Sequence, residues 1–261
     1  MTIFDPVVAT LAESSRNLWM MGDTRECLER IRRAIELARA IRHPGSLAFA
    51  LLFQGMMTGY QEDWETCLRS TTEAIALGSE HGLVQIVAWS HCVHGWALAH
   101  TGRTADGLVE MQSGIEDSAR IMGHIAMPLF LALLAEVLIL RGDHAHALDE
   151  IQRILTENET TRDLYFNAEL HRLAAEWHLA LGEPEAAEAA LQLAIETAHA
   201  QGAKTFELRA AAALGRLWTA RSEKARAYAL LQSVCEALGA AEDGVDMRRA
   251  RACLREWRAA T

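Results

Sequence analysis

The stretch GWALAHTGRTADGLVEMQSG, Gly95 to Gly114, decides the fold, because its four glycines stand at 95, 102, 107 and 114. Gly102 sits on a grid with a step of 40: Gly22, Glu62, Gly102, Gly142, Gly182 and Ser222. Gly107 continues a column of small residues: Cys27, Cys67, Gly107, Ala147, Ala187 and Ala227. Gly114 continues another: Ala34, Ala74, Gly114, Ile154, Ala194 and Val234. Gly95 continues a third, before the turn: Ser15, Gly55, Gly95, Ala135, Ala175 and Gly215. A fixed step in this range marks stacked structural repeats, each touching only its neighbours.

Each repeat reads as two helices, A and B, since apolar residues recur at intervals of three and four. Asp5-Pro6 supplies an N-cap followed by proline at the first helical position. Helix A of the first repeat then runs to about Met21, and helix B to about Arg42. Gly22-Asp23, Glu62-Asp63, Gly102-Arg103-Thr104, Gly142-Asp143 and Gly182-Glu183-Pro184 turn A into B. Joints between repeats fall at His43-Pro44, His81-Gly82, Gly123-His124, Thr161-Arg162 and Gly202-Ala203. Helices of about 17 residues would be roughly 25 Å long. Small residues at the three columns let A and B approach closely. The chain is expected to form one all-α domain, 1–261, a right-handed superhelical solenoid of six hairpins. Their spans are 5–43, 44–82, 83–123, 124–161, 162–202 and 203–240, with a capping helix over 244–259. That last helix sets Val245, Met247, Ala250, Leu254 and Trp257 opposite five arginines, the polar outer face a terminal element needs.

Composition narrows the function. A net charge of −10 argues against nucleic-acid binding, which rests on neutralising phosphate. Five cysteines without a pairing motif point to a reduced, cytoplasmic protein. The N-terminus lacks the basic and apolar blocks of a signal peptide. The longest apolar run, Ile125 to Leu140, contains Pro128 and Glu136 and is too short to cross a bilayer.

Small columns at intervals of 12 and 7 resemble those of the tetratricopeptide (TPR) repeat, lengthened from its usual 34 residues. Particular strings narrow the resemblance. They are His43-Pro44-Gly45-Ser46-Leu47-Ala48, Gly95-Trp96-Ala97-Leu98-Ala99, Pro128-Leu129-Phe130-Leu131-Ala132, Ala168-Glu169-Leu170-His171-Arg172-Leu173 and Gly202-Ala203-Lys204-Thr205-Phe206. These resemble the C-terminal TPR-like region of bacterial AAA-type signalling ATPases, linked to adenylate/guanylate cyclase or winged-helix domains. The resemblance implies a sensor or regulatory arm, with the ATPase and cyclase chemistry upstream. Gly202-Ala203-Lys204-Thr205 lacks the glycines of a phosphate-binding loop and sits at a helix joint.

No catalytic string such as G-x-S-x-G or H-E-x-x-H occurs, so no catalytic residue and no cofactor is expected. His91 and His94 share a helix face at i, i+3, a spacing metal sites use. They occupy columns filled elsewhere by packing residues, so no metal is assigned. The better candidate is the concave strip lined by the A helices. Its columns give Arg16, Trp19, Met20, Phe49, Leu52, Met56, Tyr60, Trp89, Cys92, Trp96 and His100. They continue as Leu129, Glu136, Leu140, Glu169, Arg172, Glu176, Arg209 and Arg216. Aromatic, Met and Arg side chains suit the centre of an interface. The expected partner is a protein or peptide, or an upstream ATPase or cyclase domain. A small-molecule sensor and a homo-oligomerisation module are the alternatives. The opposing structural reading is that the longer helices fold these side chains into the core.

Overall fold

The computed structural model describes residues 4–122, 127–161, 164–239 and 242–258. The Gly123-His124 joint, Arg162 and the residues beyond Arg258 lie outside these. Thirteen helices follow one another in the described chain: α1 (Pro6–Met20), α2 (Thr24–Ala40), α3 (Pro44–Tyr60), α4 (Trp64–Glu80) and α5 (Val84–His100), then α6 (Thr104–Met122), α7 (Met127–Arg141), α8 (His144–Thr161) and α9 (Asn167–Ala180), then α10 (Pro184–Gln201), α11 (Lys204–Ala220), α12 (Lys224–Leu238) and α13 (Val245–Arg258). No strand occurs among the described residues. The fold is an all-α array of TPR-like hairpins.

The grid of 40 is a grid of backbone conformation. Gly22, Glu62, Gly102, Gly142, Gly182 and Ser222 all have positive φ, including the two that are not glycine, Glu62 at 61° and Ser222 at 67°. A residue in this left-handed region ends a helix because it lets following amides fold back onto its last carbonyls. The bonds recur in register: Asp63 N to Thr58 O, Arg103 N to Leu98 O, Asp143 N to Leu138 O, Glu183 N to His178 O, and Glu223 N to Trp218 O, each 2.9 Å. Helix starts use different acceptors. Asp63 Oδ1 accepts from Thr66 N at 3.1 Å, and the His43 ring accepts from Ser46 N at 3.1 Å. The imidazole of His43 thus does what Asp or Ser usually does at an N-cap.

The chain falls into two compact units, Met1–Trp19 with Arg25–Asp143, and Met20–Thr24 with His144–Thr261. In the first, α3 packs on α4, α5 on α6, and α3, α5 and α7 on one another in order. In the second, α9 packs on α10, α11 on α12, and α9, α11 and α13 follow in the same way. The last helix therefore takes the place of another helix A, and Trp257 closes over Gly215, where an added Cβ would lie 2.4 Å from its ring.

The small columns are crossing points. A Cβ on Gly95 would stand 2.5 Å from Gly107 O, and one on Gly107 would stand 2.3 Å from Gly95 O. A Cβ on Gly114 would meet Ala88 O at 2.7 Å. The third hairpin, with glycine in every column, brings its two backbones into direct contact. Helices α3, α5 and α7 are apolar around most of their circumference, as helices covered on several sides must be. α2, α4, α6, α10 and α12 each keep a polar face toward water.

Candidate functional site

In the first unit the A-helix strip begins with an aromatic ladder. Trp19 stacks on Tyr60 at 4.0 Å between ring centroids, and Tyr60 tilts against Trp96 at 5.2 Å. Trp96 meets Trp64 edge-on at 5.0 Å, and Trp64 lies flat on His100 at 4.2 Å. His100 Nε2 is 3.0 Å from Glu136 Oε1. The ladder crosses hairpin boundaries: its rungs come from α1, α3, α4 and α5, with α7 at the end.

Burial divides the strip. Trp19, Phe49, Met56, Tyr60 and Trp96 are between 1% and 7% exposed, and Leu52, Cys92 and Leu129 are also buried. These side chains hold hairpin to hairpin. Trp96 is seated on Gly59, where an added Cβ would lie 2.3 Å from its ring. Truncating Trp96 would open a core void, so it cannot probe recognition cleanly. Arg16, Met20, Trp89, His100 and Glu136 are half-buried and keep an accessible edge, and Leu140 is exposed. Trp89 donates from Nε1 to Ser118 Oγ at 3.0 Å and packs near Phe130.

A polar cluster lies beside the strip. His91 Nδ1 is 2.7 Å from Glu110 Oε1, and His94 Nδ1 is 2.9 Å from both oxygens. An ionised carboxylate only accepts, so both Nδ1 atoms donate. Burial pushes the Glu110 carboxyl up, but the two imidazole hydrogen bonds outweigh it and hold it at about 2. Glu110 was missed from the sequence, yet the hairpin register contains it. The crossing that sets Gly95 against Gly107 and Ala88 against Gly114 also sets His91 and His94 against Glu110. Among the described residues, no group of three or more His, Cys, Asp or Glu is arranged to hold a metal ion.

This cluster carries a pH prediction. The folded carboxyl lies below its ordinary value near 4.5, so its contribution is fully present above pH 4.5. It is lost as pH falls from there toward 2. With screening of a half-buried group allowed for, about 1–2 kcal/mol is at stake. Glu110→Gln should cost that much at pH 7 and nothing near pH 2, measured as the difference in urea midpoints between variant and parent. An undiminished difference at low pH would show that the carboxylate's charge is not what the histidines hold.

In the second unit the strip is ionic. Arg172 holds Glu169 through Nη2 at 2.7 Å and Nε at 3.0 Å, and also pairs with Glu176. Arg209 reaches Glu169 at 3.1 Å and Asp246 of α13 at 3.9 Å. Glu169 and Arg172 are 4% and 6% exposed, whereas Arg209 and Glu176 are half-buried and Arg216 is exposed. Burial pushes the Glu169 carboxyl up, but Arg172 and Arg209 outweigh it and hold it below the usual carboxylate range. For Asp246 burial prevails over the pull of Arg209 and pushes its carboxyl up. The network ties α9, α11 and α13 together on one face.

A cavity of about 400 Å³ lies elsewhere in the first unit, where α4 meets α5 and the end of α6. Gly78, Val84, Val87 and Ile121 line it, and Asp117 and Arg120 stand at its edge. It is separate from the aromatic ladder.

No family model matches the chain. An uncharacterized protein of Rhizobium meliloti (strain 1021) is 29% identical over 208 residues, which make up 79% of this chain and 20% of that one. The chain thus spans about a fifth of the length of the curated relative it matches. Similar solved structures include a tetratricopeptide repeat protein from Parabacteroides merdae ATCC 43184, with a TM-score of 0.45 and 15% identity over 97% of this chain and 100% of that one. Another is the TPR2AB domain of yeast Sti1 in complex with pHSP90, with a TM-score of 0.41 and 14% identity over 96% and 98%. Both scores are low, and the helical-hairpin assignment rests on the turns and crossings described above.

Proposed function

We propose that the chain is a non-enzymatic binding module, the regulatory or sensor arm of a longer cytoplasmic signalling protein. It takes a protein or peptide segment, or a neighbouring domain, along the accessible edge of its A helices. One observation carries the reading. Between Pro128 and Leu140, α7 has a single charged residue, Glu136, and that carboxylate sits half-buried on the strip against His100. Placing a carboxylate in an apolar helix costs stability, and packing alone gives no reason for it there. A polar pair beside Trp64 instead offers a partner hydrogen bonds next to an apolar platform. The length of the Rhizobium relative supports a module set within a longer polypeptide.

The test places a photo-reactive amino acid at one position at a time in the chain expressed in living cells. Trp89, His100 and Arg216 sample the strip, and exposed Arg69 and Gln192 sample helices B. Adducts of defined mass should arise from strip positions only. Adducts confined to Arg69 and Gln192, or none from the strip, would remove this reading.

A further inference from the structure

Each helix A meets its own helix B through fixed columns. Ser14 accepts from Arg30 Nη1 at 3.1 Å, Gln54 accepts from Ser70 at 2.8 Å, and His94 donates to Glu110 at 2.9 Å, so one column faces helix B in three successive hairpins. Gly95 and Ala88 lie in two more such columns, against Gly107 and Gly114, and His91 lies in a fourth, against Glu110. Trp218 marks a fifth, since the Arg226 guanidinium of α12 stands 3.7 Å from its ring centre. The step of 40 carries these five columns onto α13 as Leu254, Arg255, Arg248, Arg251 and Arg258. The register holds there, because Ala250 and Trp257 are buried as Ala210 and Leu217 of α11 are. Arg248, Arg255 and Arg258 are exposed and Arg251 is half-buried. Arg248 donates to Asp243 O, and Arg251 lies 3.6 Å from Asp243 Oδ1, at one end of the stripe. The four arginines span about 15 Å of helix. They make like-charge pairs at i, i+3 and i, i+4, which weaken a helix. A polar cap does not require that, since mixed charge serves as well, as the alternating Glu29, Arg32 and Glu36 of α2 show.

We infer that the arginine face of α13 is a docking surface for an acidic helix of a partner protein, seated where helix B sits in the other hairpins. Guanidinium forks match carboxylates, and glutamates at intervals of three and four on the partner oppose the stripe. Leu254 meets an apolar side chain of the partner at the edge of the contact. The molecule holds its own precedent: His91, in the column of Arg251, donates to Glu110 of the helix B it faces. The partner helix stands further from α13 than α6 does from α5. Arg255 fills a column that holds only Ser, Gly or Ala in the six repeats. Nucleic acid fits this face less well, because a chain with a net charge of −10 repels phosphate. The surface is also distinct from the A-helix strip, whose Arg209 column falls in α13 on Arg249.

The probe is a fluorescent, alanine-based helical peptide with glutamates at intervals of three and four along one face, titrated with the intact chain and read by anisotropy. A peptide of the same composition, with its glutamates spread around the helix, is the control. The striped peptide should bind about tenfold more tightly, and added salt should weaken it. Arg251→Glu combined with Arg255→Glu should lower its affinity about tenfold, whereas Arg69→Glu on α4 should leave it unchanged. Arg255→Gln removes one repelling charge from an exposed site, so at low salt its melting temperature should hold or rise while binding weakens. Equal binding of the two peptides, unchanged binding by the double variant, or a fall in the melting temperature of Arg255→Gln would each overturn the assignment. So would tighter binding of a short DNA duplex than of the striped peptide. A concentration-dependent mass in light scattering that the double variant abolishes would overturn it in favour of a second copy of this chain.

Discussion

Gly107→Val should lower the melting temperature of the first unit by roughly 10 °C, a loss of about 3 kcal/mol or more. A Cβ at this position would stand 2.3 Å from Gly95 O, 3.0 Å from Ala99 N and 3.3 Å from Ala99 Cβ. Two of these are backbone atoms of α5, so no rotamer change relieves the clash. The helices must separate, and separation uncovers Met111, Cys92 and the Gly114 crossing with Ala88. Overpacking usually costs about 1–3 kcal/mol, and a backbone that has to move lies at or above the top of that range. Gly102→Ala is the control. Gly102 has φ of 90° but nothing within 4 Å, so alanine there meets strain without a clash and should cost only about 1 kcal/mol. Thermal melts of both variants decide it. Equal losses would mean that conformational strain, not the α5–α6 crossing, is what glycine relieves in this hairpin.

That contrast also shows what the sequence could and could not reveal. The step of 40 identified the turns, and the structure shows why Glu62 and Ser222 can stand in for glycine. What recurs is a left-handed residue whose successor bonds back to the helix, and that role tolerates a side chain in open space. The small columns were legible because close helix crossings exclude side chains. The strip was legible only as a set of positions. Which members face solvent depends on the neighbouring hairpin: Trp96 is covered because Gly59 leaves room for its ring, and Trp19 because Tyr60 stacks on it. A column shared by all repeats cannot report what the next repeat places against it. Glu110 was hidden for a related reason, since its partners lie across a turn on another helix.

Arg172→Ala should cost the second unit about 3–5 kcal/mol at pH 7, the range found when one partner of a buried pair is removed. Glu169 is 4% exposed, and Arg172 supplies both its shortest contact and a second bond from Nε. Truncation leaves Arg209, at 3.1 Å, to hold a carboxylate that burial already pushes up. That carboxyl therefore titrates higher in the variant than in the parent. The sign of the pH effect follows. In the parent, the Glu169 contribution is present above pH 4.5 and lost as pH falls through its lowered folded value. In the variant, the carboxylate held by Arg209 alone weakens the fold most at neutral pH, and protonation relieves it. The gap between the two should therefore be widest at pH 7 and close progressively as pH falls through the variant's folded value and then through the parent's lowered one. Glu169→Gln combined with Arg172→Met removes both charges and should be less damaging than Arg172→Ala alone, because no buried charge is left uncompensated. Urea melts of the parent and both variants across pH measure this directly. If Arg172→Ala proved nearly neutral while partner capture was lost, the network would belong to recognition instead of to the α9–α11–α13 core. If stability falls as expected, the buried pair serves to hold the α9–α11–α13 face together, and the proposed recognition in this unit is left to the more exposed Glu176 and Arg216.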